Sequence, residues 1–243
     1  MLARRVLVLC LLAACRRTVE TDEVEARPAE PDAPTPIAAH VDEPGTFEGR
    51  PIAATMSFHG ADWLTRAERI AEEDPDALHR ELHVSPGQTA CDIGAGNGYH
   101  SLRLAQAVAP TGKVLAVDIQ PEMLELLRAR AEEAGVANVQ PVLAQPDDLG
   151  LADGVCDLEL LVDVYHELAE PETMIAALRR ALAPNGRLAI VEFRGEDPLV
   201  PIKPEHKMTK AQVLRELEPR GFRLVAEYEG LPWRHLLVFG LSR

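Results

Sequence analysis

The sequence ACDIGAGNGYHS at residues 90–101, followed by the run VLAVD that ends at Asp118, decides the fold. It predicts a short buried strand, a glycine turn, a helix and a second strand with a carboxylate at its tip. The turn contains Gly94, Gly96 and Gly98, which permit a tight bend and let a ligand approach the main chain. The N–H groups at the start of the helix point towards such a ligand. A carboxylate at the tip of the second strand can accept hydrogen bonds from a ribose diol, so we predict one nucleoside-binding half of a doubly wound sheet.

The spacing of the glycines distinguishes two kinds of nucleotide-binding fold. A dinucleotide fingerprint, GxGxxG, requires a glycine at the position of Tyr99. Here the third glycine, Gly98, comes one residue earlier, and Asp92 lies two residues before the first glycine. The pattern DxGxGxG resembles the first motif of class I S-adenosylmethionine-dependent methyltransferases. This resemblance implies a Rossmann-like α/β fold with a doubly wound, mostly parallel, seven-stranded sheet that ends in an antiparallel hairpin. It also implies S-adenosyl-L-methionine as the cofactor.

The remaining sequence alternates predicted strands and helices, as a parallel sheet with right-handed crossovers requires. Strands are predicted at residues 90–93, 113–118, 139–144, 156–162, 187–193, 222–229 and 234–241. Helices are predicted at residues 61–82 (with a break at Pro75), 98–108, 121–134, 171–182 and 209–218. A last helix followed by a hairpin is typical of the methyltransferase sheet, so the resemblance covers about residues 58–243.

The beginning of the chain resembles the signal of a bacterial lipoprotein. Two arginines precede an apolar run at residues 6–14, which is too short to span a bilayer. The sequence LAAC that follows resembles a lipobox, in which Cys15 would carry the lipid. Residues 16–50 are rich in proline and acidic residues and are predicted to be a disordered tether, with the methyltransferase-like domain at residues 51–243. We therefore expect a lipid-anchored domain that faces the periplasm, or a cytoplasmic protein if the signal is spurious.

Composition excludes one class of partner and leaves the cysteines open. The net charge of −14 and the pI of about 5.0 argue against a nucleic-acid partner, because no basic stripe is present to neutralise phosphates. Cys91 and Cys156 fall on two predicted strands and are expected to be small buried side chains. They could pair in an exported protein, but the sequence does not establish that the geometry permits it. The sequence does not indicate an oligomeric state.

The glycine motif implies the first group of cofactor contacts. By resemblance, Asp92 and Gly94 would lie beside the methionine moiety of the cofactor. Gly96 and Gly98 would give the cofactor access to the main chain.

The second group of implied contacts surrounds the nucleoside. Asp118 would hold the ribose hydroxyls, while Ile119 and Met123 would pack on the adenine, although ordinary core positions explain these two apolar residues equally well. Many relatives have an acid after the third strand that accepts a hydrogen bond from the adenine amino group. This chain has Gln145 there, whose amide oxygen is a weaker acceptor than a carboxylate.

The stretch LVDVYHEL at residues 161–168 follows the fourth strand of the predicted sheet, where ligands of open α/β sheets bind. We therefore predict Asp163, Tyr165 and His166 as the catalytic residues, with Asp163 also near the cofactor. His166 has a suitable pKa to act as a base if the methyl acceptor must lose a proton. Equally, His166 and Glu167 could simply cap the next helix. Their spacing is not specific for a metal, and we expect none.

Three functions remain open from the sequence. The first is S-adenosylmethionine-dependent methyl transfer to a small-molecule acceptor by a membrane-tethered, exported domain. The second is a non-catalytic lipoprotein that binds a nucleoside-like or other small ligand on the same fold. A nicotinamide-dependent oxidoreductase is third, and both Tyr99 and the terminal hairpin disfavour it.

Overall fold

The computed structural model describes residues 45–242, so the predicted signal, Cys15 and most of the predicted tether lie outside the described residues. The described strands are β1 (Thr46–Phe47), β2 (Arg50–Pro51), β3 (Thr89–Ile93), β4 (Lys113–Asp118), β5 (Val139–Leu143), β6 (Cys156–Val162), β7 (Leu182–Arg194), β8 (Lys207–Met208), β9 (Phe222–Tyr228) and β10 (Arg234–Leu241). The described α-helices are α1 (Arg69–Glu73), α2 (Pro75–Glu81), α3 (Tyr99–Val108), α4 (Pro121–Glu133), α5 (Pro171–Ala181) and α6 (Lys210–Leu217).

Within residues 45–242 the main sheet has the order β5-β4-β3-β6-β7-β10-β9, with β8 paired to β7. Strands β3 to β7 pair in parallel, while β10 runs antiparallel to both β7 and β9. The Rossmann-like prediction with an antiparallel hairpin near the C-terminus is therefore confirmed. The predicted number of seven strands is one too low for this sheet, because β8 has only two residues and carries no recognisable strand pattern.

The central strands are buried because helices cover both faces of the sheet, as parallel sheets require. On one face, α5 and α6 bury the apolar side chains of β6 and β7. On the other face, α2 and α3 pack against apolar residues of β3, β4 and β6. Cys91 of β3 and Cys156 of β6 are both fully buried, as predicted, and they form a disulfide with a Cα–Cα distance of 5.8 Å.

The predicted break at Pro75 is confirmed, but the helix predicted from residue 61 to this break is wrong. A 3₁₀-helix at Phe58–Thr65 is followed by the two short helices α1 and α2. Asp74 separates them with a left-handed φ of 52°, and its side chain accepts a hydrogen bond from the N–H of Ala77. The separation arises because Pro75 cannot donate a main-chain hydrogen bond and disfavours helical geometry in the preceding residue. Ile70 on α1 is exposed.

The β1–β2 hairpin belongs to the packed structure, although the predicted domain begins only at Pro51. Phe47 is buried in the core. The guanidinium of Arg50 donates from Nε to Oε1 of Glu216 on α6 at 2.7 Å, and from Nη1 to the carbonyl of His166 at 3.1 Å. Both side chains of this ion pair are buried. The hairpin thus connects the last helix to the segment that follows β6.

A buried polar network joins α1 and α2 to α3. Glu73 of α1 lies 2.9 Å from Nε of Arg69 and 3.2 Å from Nε2 of His100 on α3. The other ring nitrogen of His100 lies 3.1 Å from Nε2 of His79. Burial, together with the charges of His100 and Arg103, lowers the pKa of His79 to about 3 against the opposing effect of Glu73. His79 is therefore neutral in the folded protein at neutral pH.

Helices within residues 45–242 lack the combination of length and apolar composition that crossing a membrane requires.

We expect Arg50→Met to lower the free energy of unfolding by about 3–5 kcal/mol, because the substitution leaves Glu216 as a buried carboxylate without its cation. Urea denaturation of the variant and wild type measures the difference. The control is Arg80→Met, whose side chain is 65% exposed, and which should change stability by less than about 0.5 kcal/mol. An Arg50→Met variant as stable as the wild type would show that the ion pair does not anchor the hairpin.

His79 should make the protein less stable in mild acid. Its folded pKa lies below its unfolded value of about 6.5, so between pH 6.5 and 3 the unfolded chain binds a proton that the folded chain does not. Stability is therefore lost as pH falls below 6.5, by up to about 2 kcal/mol between pH 7 and pH 5 for this one group. We expect His79→Gln to lose less stability than the wild type over that interval in urea denaturation. His83→Asn, at an exposed position, should behave like the wild type, and equal slopes for all three proteins would contradict the assignment.

Candidate functional site

A cavity of about 670 Å³ opens where the parallel strands β3, β4, β6 and β7 end. This is the edge at which open α/β sheets bind ligands, and the volume lies in the usual range for small-molecule sites. Most of the wall is apolar, and its polar residues include Asp118 after β4 and His166, Glu167 and His206 after β6 and β7. Trp63 and Leu64, from the 3₁₀-helix before α1, also line the cavity.

Two of the three glycines face this cavity. Gly94 and Gly96 line it with φ angles of 70° and 54°. A Cβ atom on Gly94 would lie 2.5 Å from Val164, and one on Gly96 would lie 2.8 Å from Leu64, so neither position has room for a side chain. Gly98 instead caps α3, where a Cβ atom would lie 2.9 Å from Leu127 of α4. The expected contact between Gly98 and a cofactor is therefore replaced by packing between helices.

Asp118 lies at the end of β4, as the sequence predicts, and its carboxylate lines the cavity. Oδ2 accepts a hydrogen bond from the N–H of Gly96 at 2.8 Å, and Oδ1 accepts one from the N–H of Gln120 at 2.9 Å. Burial raises the pKa of Asp118, and these main-chain hydrogen bonds oppose the rise. Each carboxylate oxygen can accept a second hydrogen bond, so the group can still bind a diol.

Asp92 does not have the predicted position beside a ligand. It is buried behind the glycine turn and is not among the described residues that line the cavity. Its Oδ2 accepts a hydrogen bond from the hydroxyl of Ser101 on α3 at 2.5 Å. Burial raises the pKa of Asp92, while the charge of His100 and the hydrogen bond from Ser101 oppose the rise. Its role in the structure is to hold α3 against the turn.

Sequence reasoning missed the contacts that place the 3₁₀-helix over the cavity. The side chain of Gln120 accepts from the N–H of Phe58 at 2.8 Å and donates to the carbonyl of Met56 at 2.9 Å. The amide of Asn97, inside the glycine motif, donates to the carbonyl of Ala61 at 3.0 Å. These bonds join residues that are far apart in the chain, so no local pattern marks them. Together these bonds attach residues 56–61 to the glycine turn after β3 and to the segment that follows β4.

The residues expected around adenine divide into two groups. Ile119 and Met123 both line the cavity, with Ile119 43% exposed and Met123 buried. Gln145 does not line it: its main chain forms two hydrogen bonds with Asp148 in a tight turn, and its side chain is exposed. The structure therefore does not place Gln145 among the residues that line the cavity, where the contact with adenine was predicted. Apolar side chains, including Ala144 and Leu149, form that part of the wall.

Asp163 lines the cavity but is already paired with a cation. Both of its carboxylate oxygens accept hydrogen bonds from Arg234, at 2.7 to 3.1 Å. Its φ of 55° is left-handed, which is unusual for a residue other than glycine. Burial alone would lower the pKa of Arg234, but Asp163 and Glu73 raise it. Asp163 thus fixes the end of β6 and is not a free acceptor.

Tyr165 is the predicted catalytic residue that the structure contradicts most clearly. Its side chain is fully buried in the core, under the guanidinium of Arg50, and is not among the described residues that line the cavity. Burial raises the pKa of Tyr165 well above its usual value. The 3₁₀-helix Tyr165–Glu167 directs neighbouring side chains to different sides, so His166 and Glu167 reach the cavity and Tyr165 does not.

His166, Glu167 and His206 form the polar end of the cavity. Nδ1 of His166 lies 2.6 Å from Oε2 of Glu192 at the end of β7, and Nε2 lies 3.0 Å from Nδ1 of His206. Oε1 of Glu167 lies 3.7 Å from that Nε2 atom and 3.8 Å from Nδ1 of His206. The pairing of β8 with β7 brings His206 to this place from a distant loop. Neither His206 nor Glu192 was among the catalytic or cofactor-binding residues predicted from the sequence.

The surroundings of this cluster shift the pKa of each of its three residues from its usual value. Burial lowers the pKa of His166, but Glu192 outweighs it and leaves the pKa raised. Burial raises the pKa of Glu167 to about 7, with Glu192 and Asp163 adding to the rise and His166 opposing it. Burial and the charge of His166 lower the pKa of His206. The cluster therefore contains both proton donors and proton acceptors at neutral pH.

Known proteins with similar sequences and structures agree with this geometry. A family model described as a methyltransferase domain matches residues 84–226, more than half of the chain. An uncharacterised 37.1 kDa protein in transposon TN4556 of Streptomyces fradiae is 37% identical over 46% of this chain and 32% of its own length. The ubiquinone/menaquinone biosynthesis C-methyltransferase UbiE of Ectopseudomonas mendocina is 35% identical over 45% of this chain and 43% of its own length. The matched part thus spans less than half of each of these relatives.

The solved structures include a SAM-dependent methyltransferase from Aquifex aeolicus, with a TM-score of 0.72 and 25% identity. The similarity covers 76% of this chain and 98% of that one. The nicotinamide-dependent alternative has no support from these matches. The chain belongs to the family of S-adenosylmethionine-dependent methyltransferase domains.

Proposed function

We propose that this protein transfers a methyl group from S-adenosylmethionine to a small-molecule acceptor, and that it does so as an exported domain held at the membrane by a lipid on Cys15. One observation carries the reaction: a single cavity has the glycine turn and Asp118 at one end and the His166 cluster at the other. The cofactor and the acceptor can therefore occupy the same enclosed space.

The residues at the first end fit the cofactor. Gly94 and Gly96 expose main chain in a place where a Cβ atom would collide with neighbouring side chains. Asp118 keeps free acceptor capacity for the ribose hydroxyls after its two main-chain hydrogen bonds. Ile119 and Met123 supply apolar surface beside it for a base. These residues bind and orient the cofactor, whose sulfonium supplies an activated methyl group.

The residues at the second end act on the acceptor. Methyl transfer is an in-line displacement, so holding the acceptor in line supplies much of the rate. Trp63 and Leu64 of the 3₁₀-helix before α1 add apolar surface to the lining. Glu192 holds the ring of His166 in one orientation, and in its neutral form Nε2, which lies 3.0 Å from Nδ1 of His206, can take a proton from an acceptor that must lose one. Glu167 and His206 can orient the polar group of the acceptor.

The walls of the cavity favour an acceptor with a substantial apolar part. The lining is mostly apolar, although Asp118, Asp163, His166, Glu167 and His206 contribute polar groups to it. The similar protein from Ectopseudomonas mendocina is named for ubiquinone and menaquinone biosynthesis. A small, largely apolar acceptor with one polar reacting group suits the present cavity on its own chemistry.

The disulfide supports the exported setting. Cys91 and Cys156 are bonded across two central strands of the sheet, in a fully buried position. Disulfides persist in oxidising compartments such as the periplasm and are rare in the cytosol. A lipoprotein signal and a core disulfide are independent features of the chain, and both favour export.

Asp118→Ala should weaken binding of S-adenosylmethionine by about 1.5–3 kcal/mol, the range for hydrogen bonds to a charged group. Calorimetry with the cofactor measures the loss, and thermal unfolding checks that the glycine turn remains folded. Gln145→Ala is the matched control, since its side chain lies outside the cavity, and its affinity should equal that of the wild type. Unchanged affinity in folded Asp118→Ala would remove the ribose role.

Cys15→Ser should abolish lipidation and leave an uncleaved precursor. Membrane fractionation and intact mass, measured without reductant, report the location, the processing and the Cys91–Cys156 bond. Cys10→Ser leaves the lipobox intact and should fractionate with the membrane like the wild type. A wild-type protein that is soluble, begins at Met1 and has free thiols at Cys91 and Cys156 would contradict the exported setting, while leaving the methyl-transfer proposal to the cofactor experiment.

A further inference from the structure

Three nitrogen and oxygen atoms at the polar end of the cavity converge on one point. They are Nε2 of His166, Nδ1 of His206 and Oε1 of Glu167, separated by 3.0, 3.7 and 3.8 Å. A hydrogen bond between the imidazoles explains the first distance. It does not explain why the carboxylate oxygen lies almost equally far from both ring nitrogens.

We propose that His166, Glu167 and His206 bind a divalent first-row transition-metal ion, of which Zn²⁺ is the test case. Ligand atoms about 2.1 Å from a tetrahedral ion lie about 3.4 Å from one another. The three observed separations bracket this value, so an ion at the centre requires shifts of only a few tenths of an ångström. All three residues line the cavity, so the fourth coordination position faces the space proposed for the acceptor.

Glu192 supplies the outer contact that such a site needs. A histidine ligand almost always donates its second ring N–H to a carboxylate or carbonyl, which fixes the ring and its tautomer. Here Nδ1 of His166 lies 2.6 Å from Oε2 of Glu192, and the carboxylate is completely buried. The lone pair of Nε2 is therefore directed at the point shared with His206 and Glu167.

The charges around this point favour a cation. Glu167, Glu192 and Asp163 are the carboxylates that act on His166. Arg234 pairs with Asp163 and offsets one of them. Lys203 also lines the cavity, but this residue is exposed to solvent. The described surroundings of the cluster thus retain an excess of negative charge once both imidazoles are neutral.

The ligand types select the class of ion. Imidazole nitrogen suits zinc, iron, copper and nickel, whereas magnesium and calcium prefer oxygen ligands. Two histidines and one carboxylate with an open position are the ligand set of catalytic zinc and non-haem iron sites. The spacing of Asp163, His166 and Glu167 in the sequence predicted no metal. In the folded structure Asp163 is paired with Arg234. His206, from a separate loop, completes the proposed ligand set with His166 and Glu167.

This inference goes beyond the proposed methyl transfer and does not depend on it, because ion binding can be measured without cofactor or acceptor. It also limits the proposed role of His166, since an ion and a proton would compete for the same lone pair of Nε2. A bound ion would instead polarise an acceptor oxygen as a Lewis acid.

The experiment titrates the chelator-treated, full-length chain with Zn²⁺ by calorimetry, and with Mg²⁺ for comparison. We expect one Zn²⁺ per chain and no saturable binding of Mg²⁺. His206→Ala and Glu167→Gln should each weaken Zn²⁺ binding at least tenfold, and Glu192→Gln by about 10- to 100-fold. His83→Asn removes an exposed imidazole elsewhere and should bind Zn²⁺ like the wild type. The affinity for S-adenosylmethionine, measured in parallel, should be unchanged in His206→Ala. Failure of the proposed metal site is therefore distinguishable from failure of the proposed cofactor site.

X-ray absorption at the zinc edge of the wild-type complex reads the ligand set without any substitution. We expect two imidazole nitrogens and oxygen as ligands, and no sulfur. The absence of sulfur would exclude Cys10 and Cys15 as ligands. Absence of saturable Zn²⁺ binding, a sulfur-containing ligand set, or a folded His206→Ala variant with wild-type affinity would overturn the proposal.

Discussion

The guanidinium of Arg234 joins three parts of the chain: β10, the end of β6 and α1. Arg234 begins β10, is fully buried, and donates to Asp163 at the end of β6 and to the carbonyl of Glu72 in α1. Burying a guanidinium is costly unless carboxylates and hydrogen bonds compensate it. Asp163 provides that compensation, with Glu73 at 3.8 Å, and Asp163 adopts a left-handed backbone conformation just before the segment that carries His166. The positions of β10, α1 and the end of β6 are therefore mutually dependent.

This pairing divides the chemistry of the cavity between its two ends. Because Asp163 is paired with Arg234, the polar side chains on this side of the cavity that remain outside that pair include His166, Glu167 and His206. At the other end, Asp118 accepts hydrogen bonds from the main chain of the glycine turn and of the start of α4. An acid held by N–H groups rather than by a cation remains able to bind hydroxyl groups. Most of the remaining lining is apolar.

The disulfide connects the fold to the compartment in which the protein is proposed to work. Cys91 and Cys156 are 65 residues apart, and their pairing depends on β3 and β6 lying side by side in the sheet. The order of strands is a property of the whole fold, so the sequence could identify two buried cysteines without identifying a bond. The same limit applies to His206, which β8 brings beside His166 across 40 positions of sequence.

Local patterns in the sequence determined the Rossmann-like fold, the glycine turn, the acid at the end of β4 and the last hairpin, because each arises from short-range periodicity, turn geometry or a motif. They also placed His166 at the cavity, since residues after a parallel strand meet at one edge of the sheet. Tertiary structure alone decided that Tyr165 packs in the core, that Gln145 is exposed away from the cavity, and that Arg234 pairs with Asp163. Which way a side chain in a tight turn faces, and which distant partner it meets, depends on packing between elements, and packing is not encoded in the spacing of any single segment.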